Sequence, residues 1–329
     1  MSQILVTGAS GYVGTQVIAA LLRDGAGNGG RQVRAQVRSA AREDGLRAAV
    51  RRGAGPREIE VVTADLMSDE GWKAAMAGVD EVYHVASPIP AAQPKDPDEL
   101  IVPAREGTVR VLRAARDAGA RRVVLTSSFA AIGYTPKPGG EFTEDDWTDP
   151  GMPGLPPYPR SKTIAERAAW DFMASEGGDM ELTVVNPTFI LGPPLTDETG
   201  SSMYLVKAMF SGEMSVAPRH RFGIADVRDV ADAHLRAMAA PAAAGQRFIV
   251  VSDTPPMTYL EFAGVLRQRF GALAAKAPTE EAPGGELPRL VIRNDRAKEV
   301  LGWHPRPLEE TIADTVENLR DRGALAGVA

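Results

Sequence analysis

Ile4-Leu5-Val6-Thr7-Gly8-Ala9-Ser10-Gly11-Tyr12-Val13-Gly14 is the stretch whose reading decides the fold. Ile4, Leu5 and Val6 form a short apolar run, a glycine-rich turn follows at once, and Val13, Val17 and Leu21 continue at helical spacing. A strand, a glycine loop and a helix in direct succession suit the pyrophosphate of a dinucleotide. Gly8 allows the tight turn out of the strand, Gly11 lets the backbone approach a phosphate, and Gly14 lets the helix lie on the sheet. The helix N-terminus adds unpaired N–H groups and the positive end of its dipole. Thr7, Gly8, Ser10, Gly11, Tyr12, Val13 and Gly14 are therefore candidate cofactor-binding residues, in the spacing G-x-x-G-x-x-G.

Working outward, short apolar runs alternate with helical stretches. Val33–Val37, Ile59–Val62, Glu81–Tyr83, Arg121–Thr126 and Leu182–Val185 read as further strands, and Pro97–Ala118 as a helix. This alternation predicts an α/β fold with a doubly wound parallel sheet (Rossmann) and a smaller mixed C-terminal substrate lobe. After Asn186 proline and glycine become denser. Asp226–Met238 still reads as a helix and Arg247–Val251 as a strand, both expected to return to the main sheet. The expected division is a dinucleotide-binding domain at 1–186, joined again by about 224–251, and a substrate-binding lobe from 187–223 and 252–329. The stretches 141–157 and 279–288 read as solvated surface loops.

Composition narrows the function. With 37 Lys and Arg against 43 Asp and Glu the chain is mildly acidic, which argues against nucleic acid as partner. The absence of cysteine excludes disulfides, a catalytic thiolate and thiolate metal sites. His84, His220, His234 and His304 are scattered without ligand spacing, so no metal site is expected. No apolar run approaches the roughly 18 residues of a membrane span, and no signal peptide is read, so a cytoplasmic protein is expected.

Strand two ends in Val37-Arg38-Ser39. A site for NAD usually carries an acid here; Arg38 could instead pair with a 2′-phosphate, which favours NADPH and leaves NADH open. Arg34 and Arg42 could assist. Asp65-Leu66 ends strand three, where Asp65 either contacts the cofactor or caps the following helix. Tyr158 and Lys162 lie four apart, on one face of a helix expected to begin about there because of Pro159. An ammonium beside a phenol favours the phenolate and so brings proton transfer toward neutral pH. Thr126-Ser127-Ser128 stand at the end of strand five, on the edge where open α/β sheets hold ligands.

TGxxGxxG at residues 7–14, the strand-end serines and Y-x-x-x-K resemble the extended short-chain dehydrogenase/reductases. That resemblance implies Ser128, Tyr158 and Lys162 as catalytic residues. Tyr158 would give the proton to a carbonyl oxygen, Ser128 would bond that oxygen, and Lys162 would hold the nicotinamide ribose. It also implies Asp65, Leu66, Val85, Ala86, Ser87, Thr126, Ser127 and Pro187 in cofactor binding. VRAQVR, HVASP, KDPDELIVPAREGT, VVLTSS, SKTIAERAAW and NPTFILGP are similar to the dihydroflavonol reductase and cinnamoyl-CoA reductase group, which includes microbial aldehyde and ketone reductases. Two departures matter. Gly133 stands where plant dihydroflavonol reductases carry Asn or Asp, and Pro156-Pro157-Tyr158-Pro159-Arg160-Ser161-Lys162 replaces the N-W-Y-C-Y-x-K of plant cinnamoyl-CoA reductases. The implied activity is NADPH-dependent reduction of a small ketone or aldehyde, apolar or aromatic, by a monomer or homodimer. Phe129, Ile132 and the 187–223 segment are expected to line the substrate pocket. Two alternatives stay open: a nucleotide-sugar epimerase or dehydratase with tightly bound NAD, and a non-enzymatic NAD(P)-sensing regulator.

Overall fold

A computed structural model of the chain describes residues 2–25, 31–88, 96–197 and 200–325. The first half alternates strand and helix: β1 (Ser2–Thr7), α1 (Tyr12–Arg23), β2 (Arg31–Val37), α2 (Glu43–Ala54), β3 (Glu60–Thr63), α3 (Trp72–Met76), β4 (Val79–His84), α4 (Asp98–Asp117), β5 (Arg122–Thr126), α5 (Pro157–Ser175) and β6 (Glu181–Pro187). The second half adds α6 (Ser201–Ser211), α7 (Val227–Ala239), β7 (Arg247–Val250), α8 (Tyr259–Phe270), α9 (Asp295–Leu301) and α10 (Leu308–Asp321). The main strands form one parallel sheet in the order β7-β6-β5-β4-β1-β2-β3, the doubly wound arrangement expected.

Helices cover both faces, so the central strands need apolar residues at every position. Ile4 and Val6 join Val17, Ile18, Val33 and Phe248 on one face, while Leu5 joins Val82, Val111 and Leu182 on the other. Each such side chain, fully buried, contributes about 1.5–3 kcal/mol. From β1 the sheet grows outward to β3, then returns to place β4 on the other side of β1. The loops after β1 and β4 therefore part at this switch point and leave a crevice between them.

A second apolar cluster joins Leu191, Met203, Phe210, Phe222, Phe262, Leu266, Ile312 and Val316. Small strand pairs brace it: Phe189–Leu191 runs parallel to Ile224–Asp226, and Arg221–Phe222 antiparallel to Met257–Thr258. Tyr12 ties this cluster to the glycine loop, its hydroxyl donating to the Gly192 carbonyl at 2.8 Å. The stretch after Ser252 is not uniform. Ala297, Leu301 and Trp303 pack with the main-sheet core, and Trp303 Nε1 donates to the Asp229 carbonyl.

The 141–157 stretch is not the solvated loop expected from its acidity. Glu141–Phe142 pairs with Val291–Ile292, and Phe142, Glu144, Thr148 and Leu155 are buried. The cause is the sheet edge. Among the described residues no strand lies beyond β7, and the Glu144 carboxylate accepts the Ile249 backbone N–H at 3.0 Å. Burial pushes the Glu144 carboxyl above its ordinary value, with the Ile249 N–H pulling the other way. The 279–288 stretch is the exposed loop expected, anchored at its start by Ala217 N to the Glu280 carbonyl and Ala282 N to the Ala217 carbonyl.

Candidate active site

The glycine loop sits at the crevice between β1 and β4. Gly8 has φ +63°, and a Cβ there would stand 2.7 Å from Ala86 Cα. A Cβ on Gly14 would stand 2.2 Å from the Gly8 carbonyl oxygen. Both glycines are thus required by backbone meeting backbone. Gln36 fixes the loop from β2, accepting from Gly8 N at 2.9 Å through Oε1 and donating to the Ala64 carbonyl through Nε2 at 2.5 Å. The start of α1 has no side-chain cap. Its first N–H groups and open glycine face suit a pyrophosphate, so the residues present fit a dinucleotide. Two side chains of the motif turn elsewhere. The Thr7 hydroxyl accepts from Ala86 N at 3.1 Å and meets His84 Nδ1 at 2.8 Å, so it braces the two loops. The Tyr12 ring is buried in the second cluster.

The two candidate cations of β2 part company. Arg38 is exposed, and no ion pair of it with another described residue is formed. Arg34 cannot assist it. Its guanidinium is buried and donates to the carbonyls of Ala75 at 2.8 Å and Ala77 at 2.9 Å, closing the end of α3, and it also pairs with Glu60. Asp65 does not cap α3, whose N-cap is Gly71. It closes its own turn instead, accepting from Met67 N at 2.9 Å. Leu66 lies over Gly107 of α4.

Across the crevice, α5 starts with Pro157 in its first turn and carries Tyr158 there. Prolines are tolerated in a first turn because its N–H groups lack helical partners. Lys162 is buried and donates to Ser87 Oγ at 3.0 Å, and its Nζ lies 5.8 Å from the Tyr158 ring centre. Val85, Ala86 and Ser87 run past Gly8, so the structure brings the end of β4, the glycine loop and Lys162 together. Ser128 is half-buried and caps a short helical turn, Phe129–Ala131, accepting from Ala130 N at 3.1 Å. That turn packs on α5. No direct hydrogen bond joins Ser128 to Tyr158 among the described residues.

Several residues with no motif of their own hold this edge. Ser127 donates to Glu166, and Asn186 and Arg247 meet the same carboxylate. Thr126 Oγ1 lies 2.6 Å from His234 Nε2, whose Nδ1 lies 2.7 Å from the Val230 carbonyl. A carbonyl only accepts, so Nδ1 carries the proton and Thr126 donates to Nε2. Burial brings His234 down to about 4, and brings His84 down to about 3 with the charge of Lys162 adding to the effect. Both are neutral at ordinary pH. The one signal for Glu166 in the sequence is its spacing, four residues after Lys162 on the same helix face. Pro187, at the end of β6, is buried beside Val250.

The expected pocket residues are placed differently. Ile132 and Phe129 are turned into a core cluster with Phe142, Ile249 and Val251. Phe129 also explains Gly133: a Cβ there would stand 2.1 Å from the Phe129 ring. An aromatic group lies nearby instead. The rings of Tyr134 and His220 are 6.2 Å apart, those of His220 and Tyr259 6.5 Å, and those of Phe222 and Tyr259 4.6 Å. Burial pushes Tyr134 up to about 12, with the phenols of Tyr158 and Tyr259 adding to the shift.

A nucleotide crevice at the carboxyl edge of a doubly wound sheet, with a tyrosine and a buried lysine beside it, defines a dinucleotide-dependent oxidoreductase. Residues 4–251 match the NAD dependent epimerase/dehydratase family, and the chain belongs to that family. It is 31% identical to cinnamoyl-CoA reductase 1 of Arabidopsis thaliana over 98% of this chain and 90% of that protein. It is 30% identical to an anthocyanidin reductase of Vitis vinifera over 82% of each. A crystal structure of yeast methylglyoxal/isovaleraldehyde reductase complexed with NADPH superposes with a TM-score of 0.80 at 27% identity, covering 98% of this chain and 99% of that one. Among the described residues no helix is long and apolar enough to cross a membrane, and no group of His, Asp and Glu could hold a metal.

Proposed function

We propose that this protein reduces an aldehyde or ketone carbonyl to the alcohol with NADPH. The observation that carries the reading is the meeting of Lys162, Ser87 and the glycine loop at one crevice, with Tyr158 on the next turn of α5. NADPH bound there would supply the hydride. The uncapped start of α1 would hold its pyrophosphate, and exposed Arg38 would meet the 2′-phosphate. Lys162, fixed by Ser87, would hold the nicotinamide ribose. Tyr158 would deliver its proton to the carbonyl oxygen while Ser128 steadies the same oxygen. The aromatic group of Tyr134, His220, Phe222 and Tyr259 supports a substrate with a flat or apolar body.

The test is oxidation of NADPH and NADH against a panel of aldehydes, ketones and diketones, for wild type and Tyr158→Phe. We expect turnover with NADPH in the wild type and a kcat at least about a hundredfold lower in the variant, with NADPH still bound. Full activity in Tyr158→Phe would remove the assigned proton donor. No turnover with any carbonyl, together with NAD that stays bound through purification, would favour a nucleotide-sugar epimerase instead.

A further inference from the structure

Glu166 has no part in the chemistry just described, yet more of the site converges on it than on any residue of the motif. It lies on α5 one turn beyond Lys162 and is only 1% exposed. Its Oε2 accepts from Ser127 Oγ at 2.5 Å and from Asn186 Nδ2 at 2.8 Å. Its Oε1 accepts from Arg247 Nε at 2.5 Å and from Trp170 Nε1 at 3.4 Å. Asn186 Nδ2 also donates to the Ser128 carbonyl at 3.2 Å. The backbone at Ser128 is therefore tied to one carboxylate twice, through the preceding side chain and through its own carbonyl. Ser127, Lys162 and Glu166 line one small cleft with Ser87 and Thr126.

Arg247 completes the arrangement from β7. Its guanidinium stacks 3.7 Å from the Trp147 ring centre and donates to the carbonyls of Glu144 and Asp146, each at 2.8 Å. A buried ion pair is a poor device for stability alone, because apolar residues of the same volume hold a core as well without the cost of removing charge from water. What a carboxylate adds is direction. It fixes several donors at set angles, and here two of those tethers end on the strand that presents Ser128.

We infer that Glu166 is a positioning residue, which holds the Ser127–Ser128 strand end against α5 and so sets the Ser128 hydroxyl opposite the Tyr158 phenol. The inference rests on the proposed roles of Ser128 and Tyr158. It makes α5 a single rail: Tyr158 and Lys162 face the crevice, and Glu166, one turn on, carries the strand that must face them.

Three variants of the full chain test this, each measured for kcat, carbonyl KM, NADPH affinity and melting temperature. Ser127→Ala removes one tether and leaves the Glu166–Arg247 pair. We expect kcat about tenfold lower with NADPH affinity and melting temperature little changed. Glu166→Gln should lower kcat about a hundredfold and also destabilise, since Arg247 is left without its counter-charge. Glu166→Gln with Arg247→Met removes that buried cation; it should regain the melting temperature but not kcat. A wild-type kcat in Ser127→Ala, or a kcat that returns with the melting temperature in the double variant, would overturn the positioning role. Tyr158→Phe run alongside separates the two readings. If it is inactive while Ser127→Ala is fully active, only the positioning role falls. If it is itself fully active, the assignment underneath falls, and this inference with it.

Discussion

The ends of β1 and β5 face the same crevice but are built from different materials. At β1 the closest approaches are main chain against main chain, Gly8 on Ala86 and Gly14 on the Gly8 carbonyl, with Gln36 and Thr7 bracing them. At β5 the geometry is set by side chains reaching in from elsewhere: Ser127 to Glu166 and Thr126 to His234. Backbone contacts leave no room for compromise, because a single added carbon has nowhere to go. Side-chain contacts can be loosened one at a time. The two strand ends should therefore fail in different ways, abruptly at the first and by degrees at the second.

The sharpest challenge to that contrast is Gly14→Ala. Its Cβ would fall 2.2 Å from the Gly8 oxygen, so the helix or the loop must move. We expect a loss of stability of about 3 kcal/mol and no detectable NADPH binding. Thermal melts and nucleotide fluorescence measure both. An alanine variant that binds NADPH as the wild type does would show that the loop yields more easily than its contacts imply.

Arg38→Ala comes next, since it changes a side chain at the β1 end and leaves the backbone alone. Removing a charged contact to phosphate should weaken NADPH about tenfold and leave NADH unchanged. Equal weakening of both nucleotides would mean that Arg38 supports the loop rather than reads the phosphate.

The difference between the strand ends also explains what the sequence could disclose. Thr7–Gly14 is legible because its requirements are local, with three glycines within seven residues between a strand and a helix. Tyr158 and Lys162 are legible for the same reason, and so is the order of strands and helices. Glu166 meets Ser127 across 39 positions and Arg247 across 81, and His234 meets Thr126 across 108. No short pattern carries such pairings. The misplaced expectations have related causes. Arg34 stands close to Arg38 in sequence, but its side chain runs into the carbonyls that end α3. Phe129 and Ile132 follow Ser128 closely, but the helical turn that starts there rolls them into the core. The acidity within 141–157 suggests solvent, whereas Glu144 is drawn in by an N–H on a sheet edge.

The effect that is smallest at neutral pH, and shows only in acid, concerns His234 at the β5 end. An unfolded histidine titrates near ~6.5. Burial holds His234 at about 4 and His84 at about 3, so in acid the unfolded chain binds protons that the folded chain refuses. Stability is therefore full above about 6.5 and is lost as pH falls, down to about 4 for His234 and about 3 for His84. His234→Gln should flatten the melting-temperature profile through its part of this window, by up to about 1.4 kcal/mol per pH unit, with little change at neutral pH. An unaltered acid slope would mean that the ring already exchanges protons in the folded state.

The hydrogen bond from Ile249 N–H to Glu144 has a consequence beyond the fold. A parallel sheet that ends at an open strand offers a template on which another chain can add its own strand, and growth by such addition leads to fibres. Here the template is filled from within by a carboxylate, whose loop is itself clamped by Arg247. At the opposite margin β3 is only four residues long. Both ends of the sheet are thus poor seeds, which favours a chain that remains dispersed when concentrated.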